Sequence, residues 1–310
     1  MAAWRFLKKA AALSAPFWIY AGLIAICDPF DFLHTPSPIS DEVKLRCANP
    51  LNPCLWRMAR YRREPLPNIL LGDSRMLALR EESVSAAAGA RYANLAYGGA
   101  SLKECFDTFW FATALVRLRN VYLGVNFNTY NDYNNSERTR TYSTIAANPA
   151  LYFVNRTVAQ AAAYSYYSAI WRVDLGLGRP TLDRAAFWRD ELSGPVTTRM
   201  FRNYIPPKIY RQQLEQITHY CQEHGIRLTF IIFPTHTDLQ KEIEAHGWEE
   251  ANARMRRELA ALGPVYDFDY PSRLTETADY FNDPMHLKQE GVDAIVREVW
   301  KGESGYARRY

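Results

Sequence analysis

The chain has 310 residues, 48% of them apolar, and a formal net charge of +4. That length and apolar share exclude a disordered or fibrous chain and allow one large α/β domain or two smaller ones. The mild, dispersed charge carries no basic stripe interleaved with aromatics, which argues against nucleic acid as a partner.

At the N-terminus, Arg5, Lys8 and Lys9 precede Ala10 to Cys27, eighteen residues without a charge, closed by Asp28. This run approaches the roughly 20 residues of a membrane helix, and a membrane helix tolerates Pro16. The positive flank predicts an N-in, C-out orientation, with the rest of the chain extracytoplasmic (periplasmic). A cleaved signal peptide is the alternative, but no small-x-small site follows the run, which favours an uncleaved single-pass anchor over 1–27. Residues 28–67, punctuated by prolines, read as an irregular stalk. Within it Cys47 and Cys54 flank a short loop with two prolines, a spacing that predicts a disulfide in an oxidising compartment. Cys27, Cys105 and Cys221 read as apolar fillers of helices. No cluster has metal-ligand spacing, so neither metal nor cofactor is expected.

From residue 68 strands and helices alternate. Asn68–Gly72, Arg91–Leu95, Asn120–Val125, Arg227–Phe233 and Val265–Phe268 read as strands. Met76–Ala88, Ser101–Leu118, Tyr210–Glu223, Trp248–Ala261 and Lys288–Trp300 read as helices. Five strands interleaved with helices predict a doubly wound, mainly parallel α/β sheet. Residues 128–207, rich in Tyr, Asn, Ala and Arg, break the rhythm and read as a cap inserted at the carboxyl edge of the sheet, where ligands bind in such folds. The chain's 20 tyrosines, many of them between 122 and 210, suit either a sugar-stacking surface or a half-buried cap.

Two short pieces carry chemistry. Gly72-Asp73-Ser74 places Ser74 at a strand-to-helix turn, where a hydroxyl stands free. Asp283-Pro284-Met285-His286 spaces a carboxylate and an imidazole so that one can orient the other. A nucleophile, a base and its orienter are the parts that serine chemistry needs. Each piece also has a plain structural reading: Ser74 as a helix cap, Asp283-Pro284 as a helix start.

Together with Asn94-Leu95-Ala96-Tyr97-Gly98-Gly99 and Leu123-Gly124-Val125-Asn126, these pieces resemble, in order, the four blocks of the SGNH, or GDSL-type, hydrolases and acyltransferases. The resemblance covers about 68–126 and 226–300. It implies an SGNH-type (flavodoxin-like) three-layer α/β/α domain over 68–310, with Ser74, Asp283 and His286 as the triad. It also implies an oxyanion hole made by the Ser74 and Gly99 amides and the Asn126 side chain. Arg75 stands where the family usually has leucine. Arg75, Tyr97 and His236 are further candidates for substrate contact, although a loop histidine without a role is the plainer reading of His236.

With the proposed anchor, the nearer likeness is to membrane-anchored members that decorate cell-envelope polymers beside a membrane-bound O-acyltransferase. These are the D-alanine-transfer protein of teichoic acid modification (DltD-like) and the alginate acetylation proteins (AlgJ/AlgX-like). The resemblance therefore implies acyl transfer onto an envelope polysaccharide through an acyl-Ser74 intermediate, with a membrane-bound O-acyltransferase (MBOAT) as partner. A carbohydrate or lipid esterase with the same triad, and a non-catalytic glycan-binding scaffold, are the alternatives.

Overall fold

The computed structural model describes residues 2–177, 183–194, 200–303 and 305–310. The chain divides into two compact units, Met1–Glu64 with Arg138–Pro180, and Pro65–Glu137 with Thr181–Tyr310.

The first unit is helical. Its N-terminal stretch holds helices Ala2–Cys27, Asp41–Ala48 and Pro53–Arg63, and its second stretch holds Thr139–Ala147, Ala150–Val154 and Arg156–Trp171. The expected irregular stalk over 28–67 therefore contains two helices, which make up nearly half of it. Ser40 caps Val43, Asn52 caps Leu55, and Pro53 occupies the first turn, where its missing N–H is no loss. The expected cap over 128–207 is likewise partitioned: Arg138–Pro180 packs with the N-terminal helices, and the remainder belongs to the second unit. Residues 178–182 and 195–199 of that expected cap lie outside the described residues.

The expected membrane span is not met in the form foreseen. Ala2–Cys27 is one helix, but among the described residues no helix is long and apolar enough to cross a membrane. One edge of its C-terminal half, Ala21, Ile24 and Cys27, is buried in the unit, while Leu13, Phe17, Trp18, Ile19, Leu23 and Ile26 are exposed. Tyr166 donates its hydroxyl to Leu23 O at 2.8 Å. The expected Cys47–Cys54 disulfide is also absent: both residues are buried thiols, and Cys47 faces Ser165 and Ser168 of helix Arg156–Trp171. Buried Asp28 closes the unit, accepting from the N–H groups of Phe32 and Leu33 and from the Tyr152 hydroxyl at 2.8 Å.

The second unit is built on a six-stranded sheet. Strands β1 (Asn68–Leu71), β2 (Ala93–Asn94), β3 (Asn120–Gly124), β4 (Arg227–Ile232) and β5 (Val265–Asp267) run parallel. An antiparallel edge strand, β8 (Arg308–Arg309), was not expected from the sequence. Every residue of β1 and most of β4 are buried, the continuous apolar pattern of strands covered on both faces. Leu70, Ile231, Phe233, Phe268 and Phe281 belong to the core into which helix Gln289–Lys301 lays its apolar stripe, Val292, Ile295, Val296 and Val299.

The parallel order 2-1-3-4-5 reverses direction between β1 and β3, and ligands bind outside the carboxyl ends of strands at such a switch point. The segments leaving β1, β2 and β3 carry Ser74, Gly99 and Asn126. A separate two-stranded hairpin, β6 (Phe281–Asp283) with β7 (His286–Leu287), pairs Asp283 with His286 across its tight turn.

Candidate active site

Ser74 owes its position to Gly72. The glycine has φ +156°, and a Cβ there would lie 2.8 Å from the Cβ of Met76, so only glycine lets β1 turn this sharply into helix Ser74–Leu77. Asp73 caps that helix, accepting from the Arg75 N–H at 3.0 Å. The Ser74 side chain is thereby presented at the strand end.

The hairpin supplies the other two groups. Ser74 Oγ lies 2.6 Å from His286 Nε2, although the residues are 212 positions apart. On the other side of the ring, His286 Nδ1 lies 2.9 and 2.8 Å from the two carboxylate oxygens of Asp283. Asp283 Oδ1 also accepts the N–H groups of Met285 and His286, so the turn itself fixes the carboxylate. A carboxylate at Nδ1 places the ring proton there and leaves Nε2 as an acceptor for the serine hydroxyl. The three groups sought in the sequence therefore meet as one hydrogen-bonded chain.

They open on a cleft of about 790 Å³, whose lining includes Ser74, His286, Gly99, Asn128, Arg75 and Glu191. Gly99 has φ +61°, a left-handed conformation that suits glycine, and is exposed at the cleft. Among the described residues neither the Ser74 nor the Gly99 N–H makes a backbone hydrogen bond. The polar run Asn128–Ser136 forms much of the remaining wall. It is tied down from behind: Asn131 Oδ1 accepts from Ile205 N, Asp132 accepts from Ile209 N, and Tyr210 donates to Asn134 O.

Three expected site residues lie elsewhere. Asn126 is buried and its amide is engaged at both ends by Phe233: Nδ2 donates to Phe233 O at 2.7 Å and Oδ1 accepts Phe233 N at 3.1 Å. It stitches the ends of β3 and β4 together and does not line the cleft, which corrects its expected place in the oxyanion hole. Tyr97 is fully buried, with its hydroxyl 2.8 Å from Thr108 Oγ1. His236 caps helix Thr237–Ala245 and packs edge-on against Trp188 and Phe281, and burial lowers its pKa from the usual 6.5. Neither ring reaches substrate space.

Two residues not singled out as site groups belong to it. Asn128 lines the cleft and accepts from Arg75 Nη2 at 2.9 Å. Glu191, on helix Arg184–Ser193, has its carboxyl pushed up by burial and by the nearby charge of Asp283. Asn128 is a second amide two positions after Asn126, and nothing local in the sequence separates the two. Glu191 gave no such sign. Arg75 is at the site as expected, gripped by Asp73 through Nε and Nη2. Burial pushes the Asp73 carboxyl up, but Arg75 outweighs it and holds the pKa below the usual 3.8. Among the described residues no group of three His, Cys, Asp or Glu side chains is arranged to hold a metal ion.

No protein-family model matches the chain, and no curated protein matches it in sequence. Among solved structures, a candidate acylhydrolase from Bacteroides fragilis superposes with a TM-score of 0.44 at 9% identity, covering 79% of this chain and 93% of that one. A GDSL-like lipase from Bacteroides thetaiotaomicron gives a TM-score of 0.43 at 8% identity, covering 80% and 98%. Likenesses this distant carry no functional argument, and the assignment has to come from the site.

Proposed function

We propose that this chain is a serine-dependent acyl-transfer enzyme of the SGNH type. The observation that carries this reading is the unbroken chain Ser74 Oγ–His286 Nε2–Asp283, standing at the mouth of a cleft. Ser74 Oγ attacks the carbonyl carbon of an acyl donor while its proton passes to His286 Nε2. The tetrahedral intermediate collapses, the leaving group takes that proton, and acyl-Ser74 remains. An acceptor hydroxyl then gives its proton to His286 and attacks the acyl carbon, which frees Ser74.

For the acceptor we favour a polyhydroxylated polymer such as an envelope polysaccharide. The wall of amides, hydroxyls and a phenol between Asn128 and Ser136 supports this, because such groups suit an acceptor dense in hydroxyls. Water as acceptor gives the second reading, an esterase, which needs no other residue. The setting proposed is the outer face of a cytoplasmic membrane. The exposed apolar side chains of the first helix, with Lys8 and Lys9 beside them, would rest the chain on that surface, beside an MBOAT partner that exports the acyl group.

The test is labelling of Ser74 by a fluorophosphonate together with turnover of p-nitrophenyl acetate. Ser74→Ala and His286→Ala should each lose on the order of 10⁶ in kcat, as removing one member of a comparable triad does. Mass spectrometry of a glycan acceptor then separates transfer from hydrolysis. A chain that is neither labelled nor active would overturn the reading.

A further inference from the structure

A tetrahedral oxyanion formed at Ser74 needs fixed donors, and the resemblance assigns the side-chain donor to Asn126. With that amide bonded at both ends to Phe233, its role has to fall to another group. Asn128 meets the requirements. It shares the cleft wall with Ser74, Gly99 and His286. Its Oδ1 accepts from Arg75 Nη2, which fixes the amide plane and turns Nδ2 away from the guanidinium. Among the described residues Nδ2 has no protein partner, and it is not sealed from solvent.

Arg75 cannot swing. Its side chain is only 4% exposed, and its Nε lies 3.1 Å from both carboxylate oxygens of Asp73. Asp73 is itself held by the Arg75 backbone N–H, and it is the residue immediately before the nucleophile. A buried ion pair of this kind adds little to stability over apolar side chains of the same volume, so its value lies in what it holds in place.

We infer that Asn128 Nδ2 is the side-chain donor to the oxyanion, and that Arg75, locked by Asp73, is the residue that positions it. The inference rests on the acyl-transfer reading above. The oxygen of the attacked carbonyl takes up negative charge as Ser74 Oγ bonds to carbon, and three donors from three strand ends would meet it: the Ser74 and Gly99 amides and the Asn128 side chain. It also accounts for an arginine where the resemblance expects leucine, since a leucine could not hold Asn128.

The experiment uses the full chain with p-nitrophenyl acetate and a trifluoromethyl ketone, which mimics the tetrahedral state. Asn128→Ala should lower kcat by roughly 10²–10³ with KM nearly unchanged, and should weaken the ketone by a similar factor. Arg75→Ala should lower kcat by at least about tenfold in the native background and have little further effect on Asn128→Ala, the non-additivity of two groups in one unit. Arg75→Lys, which still donates but without the fork, should recover part of the loss. Folded Asn126→Ala should keep kcat within a few-fold while melting lower. A native chain that is unlabelled and inert defeats the parent reading. An active, labelled chain in which Asn128→Ala keeps more than a tenth of kcat, or in which Arg75→Ala costs the same in both backgrounds, defeats this inference alone.

Discussion

The first event after β1 is decided by the absence of one carbon. A Cβ at position 72 would press on the Met76 Cβ at 2.8 Å and come within 3.4 Å of the Gly124 backbone. Gly72→Ala should therefore cost roughly 1–3 kcal/mol, the usual penalty for overpacking a filled core. Urea unfolding measures that loss, and kcat should fall with it because Ser74 rides on the displaced turn. The glycine and serine were legible in the sequence because a short apolar run ending in Gly-Asp-Ser is a local signal. The exchange of Asn126 for Asn128 was not. Two amides two residues apart look alike on paper, and what separates them is a long-range contact: Phe233 takes the first and Arg75 reaches the second.

Among elements, β1 and β4 were readable for the same reason as their burial: apolar runs flanked by turn residues. The hairpin β6–β7 was not, since strands of three and two residues around Pro284 carry no periodicity. The spacing of Asp283 and His286 was visible nonetheless, because a tight turn and a catalytic pair both need partners three apart. The ends of β4 and β5 are joined by another cluster. Arg256 Nε donates to fully buried Asp267 at 2.8 Å, and Asp269 accepts from both the N–H and the hydroxyl of Thr235. Burial pushes the Asp269 carboxyl up despite Arg256. Arg256→Ala would leave the fully buried Asp267 carboxylate without its guanidinium partner and should destabilise by about 3–5 kcal/mol. A shift of the urea midpoint without a change in slope would report it.

For the whole molecule, acid stability should carry the mark of His236. Its folded pKa lies below the unfolded 6.5, so the fold favours the neutral ring. The stability it contributes is present above pH 6.5 and is lost as pH falls through the folded value. Asp73 acts in the same direction lower down, below its ordinary 3.8. Glu191 and Asp269, both raised, act oppositely and gain relative stability as they take up protons. His236→Asn, which keeps a helix-capping side chain, should flatten the stability profile below about pH 6.5, by at most about 1.4 kcal/mol per pH unit for one proton. Equal urea midpoints for both proteins across that range would contradict it.

The helical unit is assembled from two stretches that are not neighbours in the chain, with Pro65–Glu137 of the other unit between them. Neither unit can be excised at a single junction. A fragment starting at Pro65 would retain helix Arg156–Trp171, with its buried Val158, Ala161 and Ala162, yet lack helices Ala2–Cys27 and Asp41–Ala48 that pack against it. Such a fragment would display a greasy stripe and tend to clump, so shortening this protein from its front end is no neutral trim.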